Sequence, residues 1–200
     1  MSPEVGRGWT SLGSSALLVA LGVALGAVNV AANFGLVPGS AWLAKVVGLE
    51  WGWLVAGFAA GWAGRTWRAS FMRALTLLLP AVLVYVVADA VMIARTVDGT
   101  PPTPAAVVLE GLFWGVAAVG ASVGLATVRS LIRVDGPIGM LAAAALPAYI
   151  AYSAWSTRRN LVRMDVDDPA TVDVVTVLLP AAVATAIAAA VARGLAPRER

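Results

Sequence analysis

The chain has 200 residues, of which 60% are hydrophobic and only 12% are charged, and its mean hydropathy is +0.85. A water-soluble domain keeps about a quarter of its residues charged, so this composition indicates a chain that faces lipid. Cysteine and histidine are both absent, which excludes disulfides, thiol nucleophiles, histidine bases and the usual protein ligands of zinc, haem and iron–sulfur clusters.

Six stretches are long and apolar enough to cross a hydrocarbon core of about 30 Å as helices, which takes about 20 residues each. We expect the first stretch to be a retained helix, because the region before it is nearly neutral and no convincing cleavage site ends it. The prediction is an all-α, multi-pass protein of the cell membrane, with one domain over 1–200. Its six transmembrane helices are expected near 14–37, 41–64, 70–95, 104–128, 136–157 and 169–193.

The second stretch has two interpretations. It follows the turn "LVPGS", in which Ser40 is placed to cap a helix. In one interpretation, the whole stretch crosses the membrane. In the other, residues 41–49 lie flat as a short interfacial helix, which keeps Lys45 and Glu50 out of the bilayer and shortens the span to about 15 residues. The sequence leaves both alternatives open.

Proline marks the starts and the interiors of the later helices. A Thr or Asp shortly before proline is typical of a helix N-terminus, and such pairs are Thr103 with Pro104, Asp135 with Pro137 and Asp168 with Pro169. A proline inside a helix removes a backbone hydrogen bond and leaves a carbonyl that needs protein or water nearby. Prolines of this second kind, which favour a cavity, are Pro80, Pro147 and Pro180.

The charged residues predict the orientation. If the N-terminus is cytoplasmic, nine of the 14 Lys and Arg residues lie on the inner side: Arg7, Arg65, Arg68, Arg73, Arg129, Arg133, Arg193, Arg198 and Arg200. The outer side has Lys45, Arg95, Arg158, Arg159 and Arg163, together with Glu50, Asp98, Asp165, Asp167, Asp168 and Asp173. The positive-inside rule therefore places both termini in the cytoplasm. Basic residues at helix ends suit anionic lipid headgroups, and binding to nucleic acid is not indicated.

Small residues recur four apart along several helices. Helices in lipid associate through close backbone approach and dispersion, which small side chains permit. We expect these residues to pack helices together within the chain, in preference to forming a contact with a second copy. They are Ala16, Ala20 and Ala24, Gly22 and Gly26, Gly57 and Gly61, Gly111 and Gly115, and Gly120 and Gly124.

A cluster of polar and aromatic residues surrounds Asp89, which is the only charge among the 21 residues between Arg73 and Arg95. Side chains of four helices share its depth, about 9 Å from the outer helix end, as an outward-facing pocket requires. We expect Asp89 to face the bundle interior and to bond to Tyr85 and to Asn29 or Asn33, with Arg95 or Arg158 nearby. The predicted ligand-binding residues are Asn29, Asn33, Tyr85, Asp89, Glu110, Trp114 and Tyr152.

Other roles for these acids stay open. Asp89 can serve a purely structural purpose by pairing with an arginine, or it can contact a partner protein. Two intramembrane carboxylates do not make an enzyme, because the sequence supplies neither a nucleophile nor a metal cage beside them. The run "DVDD" at 165–168 lacks the glycine and the terminal glutamate of an EF-hand. We therefore expect no catalytic site, metal site or cofactor.

Two resemblances bear on function. The chain contains "GVALGAVNVAANFGLVPGSAWLAKVVGLEWGWLVAGFAAG" (22–61), then "VLVYVVAD" and "GLFWGVAAVGASVGLA". Over about 15–157 this order resembles a family of bacterial integral membrane proteins classed only as a domain of unknown function, which implies a multi-helix membrane protein and no activity. The size, six helices, inner termini and alanine seam are similar to the S components of energy-coupling-factor vitamin transporters. That likeness implies an outward ligand pocket and an alanine helix that contacts the coupling subunit.

These observations favour a small-molecule-binding or transport-associated membrane protein with an outward-facing pocket. The competing class is a non-catalytic structural or accessory membrane subunit, whose polar residues only hold helices together. The expected partners are the lipid bilayer, a small-molecule ligand and either a membrane protein partner or further copies of the chain.

Overall fold

The computed structural model describes residues 7–96 and 101–196, with side chains from Ser14 onward, and this part of the chain is helical without strands. Asp98, Arg198, Arg200 and the side chain of Arg7, which entered the charge analysis, lie outside the described residues. The helices are α1 (Arg7–Asn33), α2 (Ser40–Val47), α3 (Glu50–Trp62), α4 (Trp67–Thr96), α5 (Pro104–Leu131), α6 (Pro137–Met164) and α7 (Pro169–Leu195).

The helices divide into long spans and one bent pair. Within the described residues, α4, α5, α6, α7 and the Ser14–Asn33 part of α1 are long and apolar enough to cross a membrane. Together, α2 and α3 pass the same test, but they are bent by 57°. The predicted helix near 41–64 is therefore divided into two helices, and both interpretations of this stretch, a single crossing and a short interfacial helix before a shorter span, stay predictions.

The break between α2 and α3 has a local cause. Gly48 closes α2, and Leu49 then adopts an extended conformation with φ −85° and ψ 160°, which turns the chain before Glu50 starts α3. The indole of Trp51 is buried and donates a hydrogen bond to the carbonyl of Lys45 across the break, at 3.1 Å. The angle between the two helices is therefore held by side-chain contacts as well as by the backbone.

Two of the predicted helix caps form and two do not. Thr103 and Asp168 accept hydrogen bonds from the backbone of Ala106 and Thr171, at 3.2 and 3.1 Å, as the sequence indicates. Asp135 does not cap α6, because Gly136 occupies that position with a φ of +81° that suits glycine. The predicted Ser40 cap is also wrong, because Ser40 is already inside α2 and Gly39 precedes it.

Glycines form the closest helix contacts. On α1, a Cβ at Gly22 or Gly26 would overlap a backbone carbonyl of α4, so only glycine permits this approach. On α3, a Cβ at Gly57 would lie 2.9 Å from Leu78, and one at Gly61 would lie 3.1 Å from the Ser70 carbonyl. These four positions therefore pack helices closely within the chain.

Most of the other predicted packing residues face outward, but a Cβ at Gly111 of α5 would lie 3.8 Å from Val86 of α4. A Cβ at Gly120 or Gly124 of α5 would meet no atom of the described chain within 4 Å. The three alanines Ala16, Ala20 and Ala24 are exposed as well. The expectation that they pack helices within the chain is corrected, because α1 turns its Gly22 face toward α4 instead.

Arginines cap helix C-termini at one end of the bundle, formed by residues 63–66, 132–136 and the end of α7, which we call the arginine end. Their guanidinium groups donate to carbonyls of neighbouring helices, where the negative end of each helix dipole lies. The bonds run from Arg73 to Ala60 at 3.2 Å, from Arg129 to Trp62 at 3.1 Å, from Arg133 to Gly64 at 3.1 Å, and from Arg193 to Ile132 at 2.6 Å. These residues therefore have a structural purpose besides their charge.

Candidate functional site

A cavity of about 390 Å³ lies toward the opposite end of the bundle. Its walls come from α3, α4 and α5, with Asn29 of α1, Gly48 and Leu49 at the break, and Tyr149 of α6 completing the lining. Because α6 packs much more extensively against α7 than against α5, space remains between α5 and α6. The volume falls within the range of about 300–1,000 Å³ that is typical of small-molecule sites.

Four aromatic side chains dominate the cavity wall, and they come from four different helices. Trp53, Tyr85, Trp114 and Tyr149 all line it. Trp53 and Tyr85 meet edge to face, with ring centroids 6.1 Å apart and planes at 86°. Such pairs hold each ring in a defined orientation. The cavity is therefore partly open, with aromatic rings from four helices and a small number of polar groups in its lining.

Glu50 is the acidic residue of the cavity lining. It stands in the first turn of α3, where a negative charge complements the helix dipole. The buried Ser153 of α6 donates its hydroxyl to a Glu50 oxygen. No ion pair of Glu50 occurs within the described part of the chain, and no described Lys or Arg lines the cavity. The carboxylate is thus positioned but lacks a neutralising cation.

Lys45, the one lysine of the sequence, forms an ion pair with Asp168 and not with Glu50. Its Nζ lies 2.9 Å from Oδ2 of Asp168, which connects α2 to the start of α7. The hydroxyl and backbone N–H of Thr171, together with Lys45, lower the pKa of Asp168 from 3.8 to about 2. Asp168 therefore both caps α7 and forms an ion pair with Lys45, at the end of the bundle opposite to the arginine end.

We expect stability to depend on pH through Asp168. Because its pKa is depressed by folding, its contribution is complete above about pH 4 and is lost as the pH falls toward 2. Asp168→Asn keeps a capping oxygen but loses the ion pair, so it should destabilise the protein by about 1 kcal/mol at pH 6. Thermal unfolding in detergent should show this difference shrinking between about pH 4 and pH 2. Asp167→Asn, at an exposed neighbour, is the control; an Asp168 difference that stays constant with pH would contradict the assignment.

Asn29 lines the cavity, but its amide group forms hydrogen bonds that hold helices together. The side chain is 2% exposed and donates to the Val47 carbonyl at 3.5 Å, next to the break, while its oxygen accepts from Asn33 at 3.1 Å. Asn33 itself is exposed and does not line the cavity. The asparagine pair therefore fixes the end of α1 to the break between α2 and α3.

Asp89 and Glu110 lie one helical turn beyond the cavity lining. Asp89 follows Tyr85 by four residues on α4, and Glu110 precedes Trp114 by four on α5, so both are closer to the opposite end of the bundle. Each is partly buried, and the two carboxylates are within electrostatic range of one another. Among the described residues Asp89 forms neither a hydrogen bond nor an ion pair, so the expected bonds to Tyr85 and to Asn29 or Asn33 are absent.

Tyr152 faces away from the cavity. It is 63% exposed and lies beside Trp155, with ring centroids 6.0 Å apart. Residues turn about 100° each around a helix, so a position three residues from Tyr149 points about 60° away from it. Tyr149 therefore takes the place that the sequence analysis assigned to Tyr152.

The structure thus unites three of the predicted ligand-binding residues with three that were not among them. Asn29, Tyr85 and Trp114 line the cavity, as do Glu50, Trp53 and Tyr149. The segment "GLEWGWL" contains two of the missed residues, and an acid beside two tryptophans in an apolar run was an available signal. No protein-family model, no curated protein and no solved structure matches the chain.

Proposed function

We propose that the chain is a multi-pass protein of the cell membrane with six crossings, in which α2 and α3 together form one bent crossing. Both termini are then cytoplasmic. The length and hydropathy of the helices support the crossings, and the arginine end, with Arg65, Arg68, Arg129 and Arg133, supports its placement in the cytoplasm. In this orientation the aromatic cavity lies in the outer half of the membrane.

The cavity binds a small organic molecule from the outer side, in a binding or transport-associated role. The observation that carries this proposal is the aromatic cavity of about 390 Å³, whose polar groups are few and convergent. Apolar walls provide affinity, while one carboxylate and two phenol groups provide orientation. Binding is favoured over catalysis, because among the described residues Glu50 has only a serine hydroxyl as its hydrogen-bonding partner and no base or second acid bonded to it.

The second candidate function is that of an accessory subunit, and the exposed small residues favour it. Ala16, Ala20 and Ala24 on α1, and Gly120 and Gly124 on α5, would let a helix of another membrane protein approach closely. In the S components of energy-coupling-factor transporters, which the chain resembles in architecture, such an alanine helix contacts the coupling subunit. Both functions are compatible in one protein, because the cavity and these surfaces use different residues.

Native mass spectrometry of the protein purified from its own membranes tests the proposed function. We expect a retained small-molecule adduct on the wild-type chain. Ala117→Phe should remove the adduct, because Ala117 is exposed within the cavity wall. Val119→Phe introduces the same side chain at an exposed position of α5 outside the lining, so the adduct should remain. A stable large membrane partner without any small adduct would favour the accessory subunit instead.

A further inference from the structure

We infer that the ligand of the cavity is an organic cation, such as a quaternary or protonated amine, an inference that rests on the proposed function. Three separate observations lead to this class of ligand: the charge of the lining, the chemistry of its walls and the charges beyond its rim. Each concerns described residues whose positions are given above.

The first observation is an acidic charge without a counter-charge. Glu50 lines the cavity, held by the hydroxyl of Ser153. Lys45, the one lysine of the sequence, lies 2.9 Å from Asp168 and is therefore already paired. Glu50 is exposed and has no ion pair in the described part of the chain, so its charge is available to a bound cation, which would supply the missing counter-charge.

The second observation is the type of wall around that charge. The faces of tryptophan and tyrosine rings attract ammonium groups through the ring quadrupole, most strongly where water is excluded. Trp53, Tyr85, Trp114 and Tyr149 offer such rings from four helices. An inorganic cation suits the cavity less well, because calcium and magnesium need several oxygen ligands and the amide of Asn29 is engaged with Val47 and Asn33.

The third observation concerns the approach to the cavity. Asp89 and Glu110 lie one turn beyond Tyr85 and Trp114, partly buried and without an ion pair in the described part of the chain. Carboxylates at the rim of a low-dielectric cleft raise the local concentration of cations. This accounts for an aspartate in an apolar helix better than a structural hydrogen bond, since Asp89 forms none within the described residues.

The test compares phenyltrimethylammonium with tert-butylbenzene, in which carbon replaces the charged nitrogen without a change of shape. Both are titrated against the full chain in lipid nanodiscs, with tryptophan fluorescence as the readout. We expect the wild type to bind the cation at least about tenfold more tightly than the neutral isostere, because only the cation interacts with the carboxylate and the ring faces. Ala117→Phe, which fills the cavity, serves as the blank for partitioning into lipid.

Glu50→Gln removes the negative charge and keeps the size of the side chain, so it measures the effect of the charge alone. The amide oxygen can still accept the Ser153 hydrogen bond, so the shape of the wall is retained. Affinity for the cation should fall at least about tenfold, and affinity for tert-butylbenzene should not change. Asp165→Asn, at an exposed loop acid, should change neither value. If Glu50→Gln does not fold, Tyr149→Leu and the exposed Tyr152→Leu provide the same comparison, and only the first should reduce the cation preference.

The outcomes separate the inference from the proposed function. Equal binding of the two compounds, or a cation preference that survives both Glu50→Gln and Tyr149→Leu, would overturn the cationic ligand while leaving a small-molecule site. Failure of both compounds to bind would overturn the site itself. Adding phosphatidylcholine to the nanodiscs identifies the source of the cation: competition supports a lipid headgroup at the same ammonium site, and unchanged affinity supports a soluble amine.

Discussion

Replacing Gly26 with leucine will destabilise the protein by at least about 3 kcal/mol, or prevent its folding. A Cβ at this position would overlap the carbonyl oxygen of Ala81 and would lie 3.1 Å from the Cβ of Val84, so α1 could not keep its distance from α4. Excess side-chain volume in a well-packed contact lowers the free energy of unfolding by about 1–3 kcal/mol and occasionally more. Here the added side chain would meet a backbone carbonyl, which cannot rotate away as a side chain can. Thermal unfolding in detergent, together with size-exclusion chromatography, measures the effect.

Gly124→Leu is the matched control, because it introduces the same side chain into another membrane helix. A Cβ at Gly124 meets no atom of the described chain within 4 Å, so the unfolding temperature should not fall. Equal stability of the two variants would show that α1 and α4 are not packed as described. A loss of stability in Gly124→Leu alone would instead identify α5 as a contact surface between chains.

Arg193→Leu is expected to destabilise the protein by about 2–4 kcal/mol. The side chain of Arg193 is 19% exposed, and its guanidinium group lies 2.8 Å from Asp135 and donates to the Ile132 and Val134 carbonyls at 2.6 and 3.2 Å. Leucine would leave these two carbonyls, which directly follow α5, without this donor and Asp135 without its partner. Hydrogen bonds to charged groups contribute about 1.5–3 kcal/mol each, and partial exposure reduces their sum.

Two further variants check the cause of this loss. Arg193→Lys should recover only part of the stability, because an ammonium group cannot reach the carbonyls and the carboxylate in the fork geometry of a guanidinium. Arg68→Leu removes the same charge from an exposed site without a bond among the described residues, so it should be nearly neutral. Full recovery by lysine, or equal losses at positions 68 and 193, would mean that net charge alone matters at the arginine end.

The sequence predicted the long helices well, because their apolar runs and proline starts are local signals. Thr103 and Asp168 cap helices as their spacing indicates. The break at Leu49 was only one of two alternatives, since an apolar run that contains glycine is compatible with both a straight and a bent helix. Packing faces were less predictable, because Ala20 and Gly22 belong to equally regular small-residue patterns and only the position of α4 separates them.

The sequence predicted the level of the candidate site along the helices, but not all of the residues that line it. The sequence placed Tyr85, Trp114 and Asn29 at one level, and all three line the cavity. The acid and tryptophans of "GLEWGWL" are a signal for Glu50 and Trp53, but these residues enter the cavity only through the bend between α2 and α3, which the sequence left open. Asp89 was predicted to be a binding residue because it is a charge in an apolar helix, yet the cavity lining begins one turn away, at Tyr85. Sequence spacing alone does not show which of these two turns of the helix faces the cavity.

Labelling of Ala117→Cys in intact cells tests whether the cavity opens to the outside and favours cations, and the native chain has no cysteine that would interfere. Two impermeant methanethiosulfonates are compared, one with a trimethylammonium group and one with a sulfonate. Asp167→Cys lies in an exposed loop at the end of the bundle opposite to the arginine end, which is also the end toward which the cavity lies. Its labelling gives the reference ratio of the two rates. We expect labelling from outside, with a cation-to-anion ratio at least about tenfold higher at position 117 than at 167, and a loss of this excess in Glu50→Gln. Labelling of position 117 only from the cytoplasmic side, or equal ratios at the two positions, would contradict an outward-facing cavity for cations.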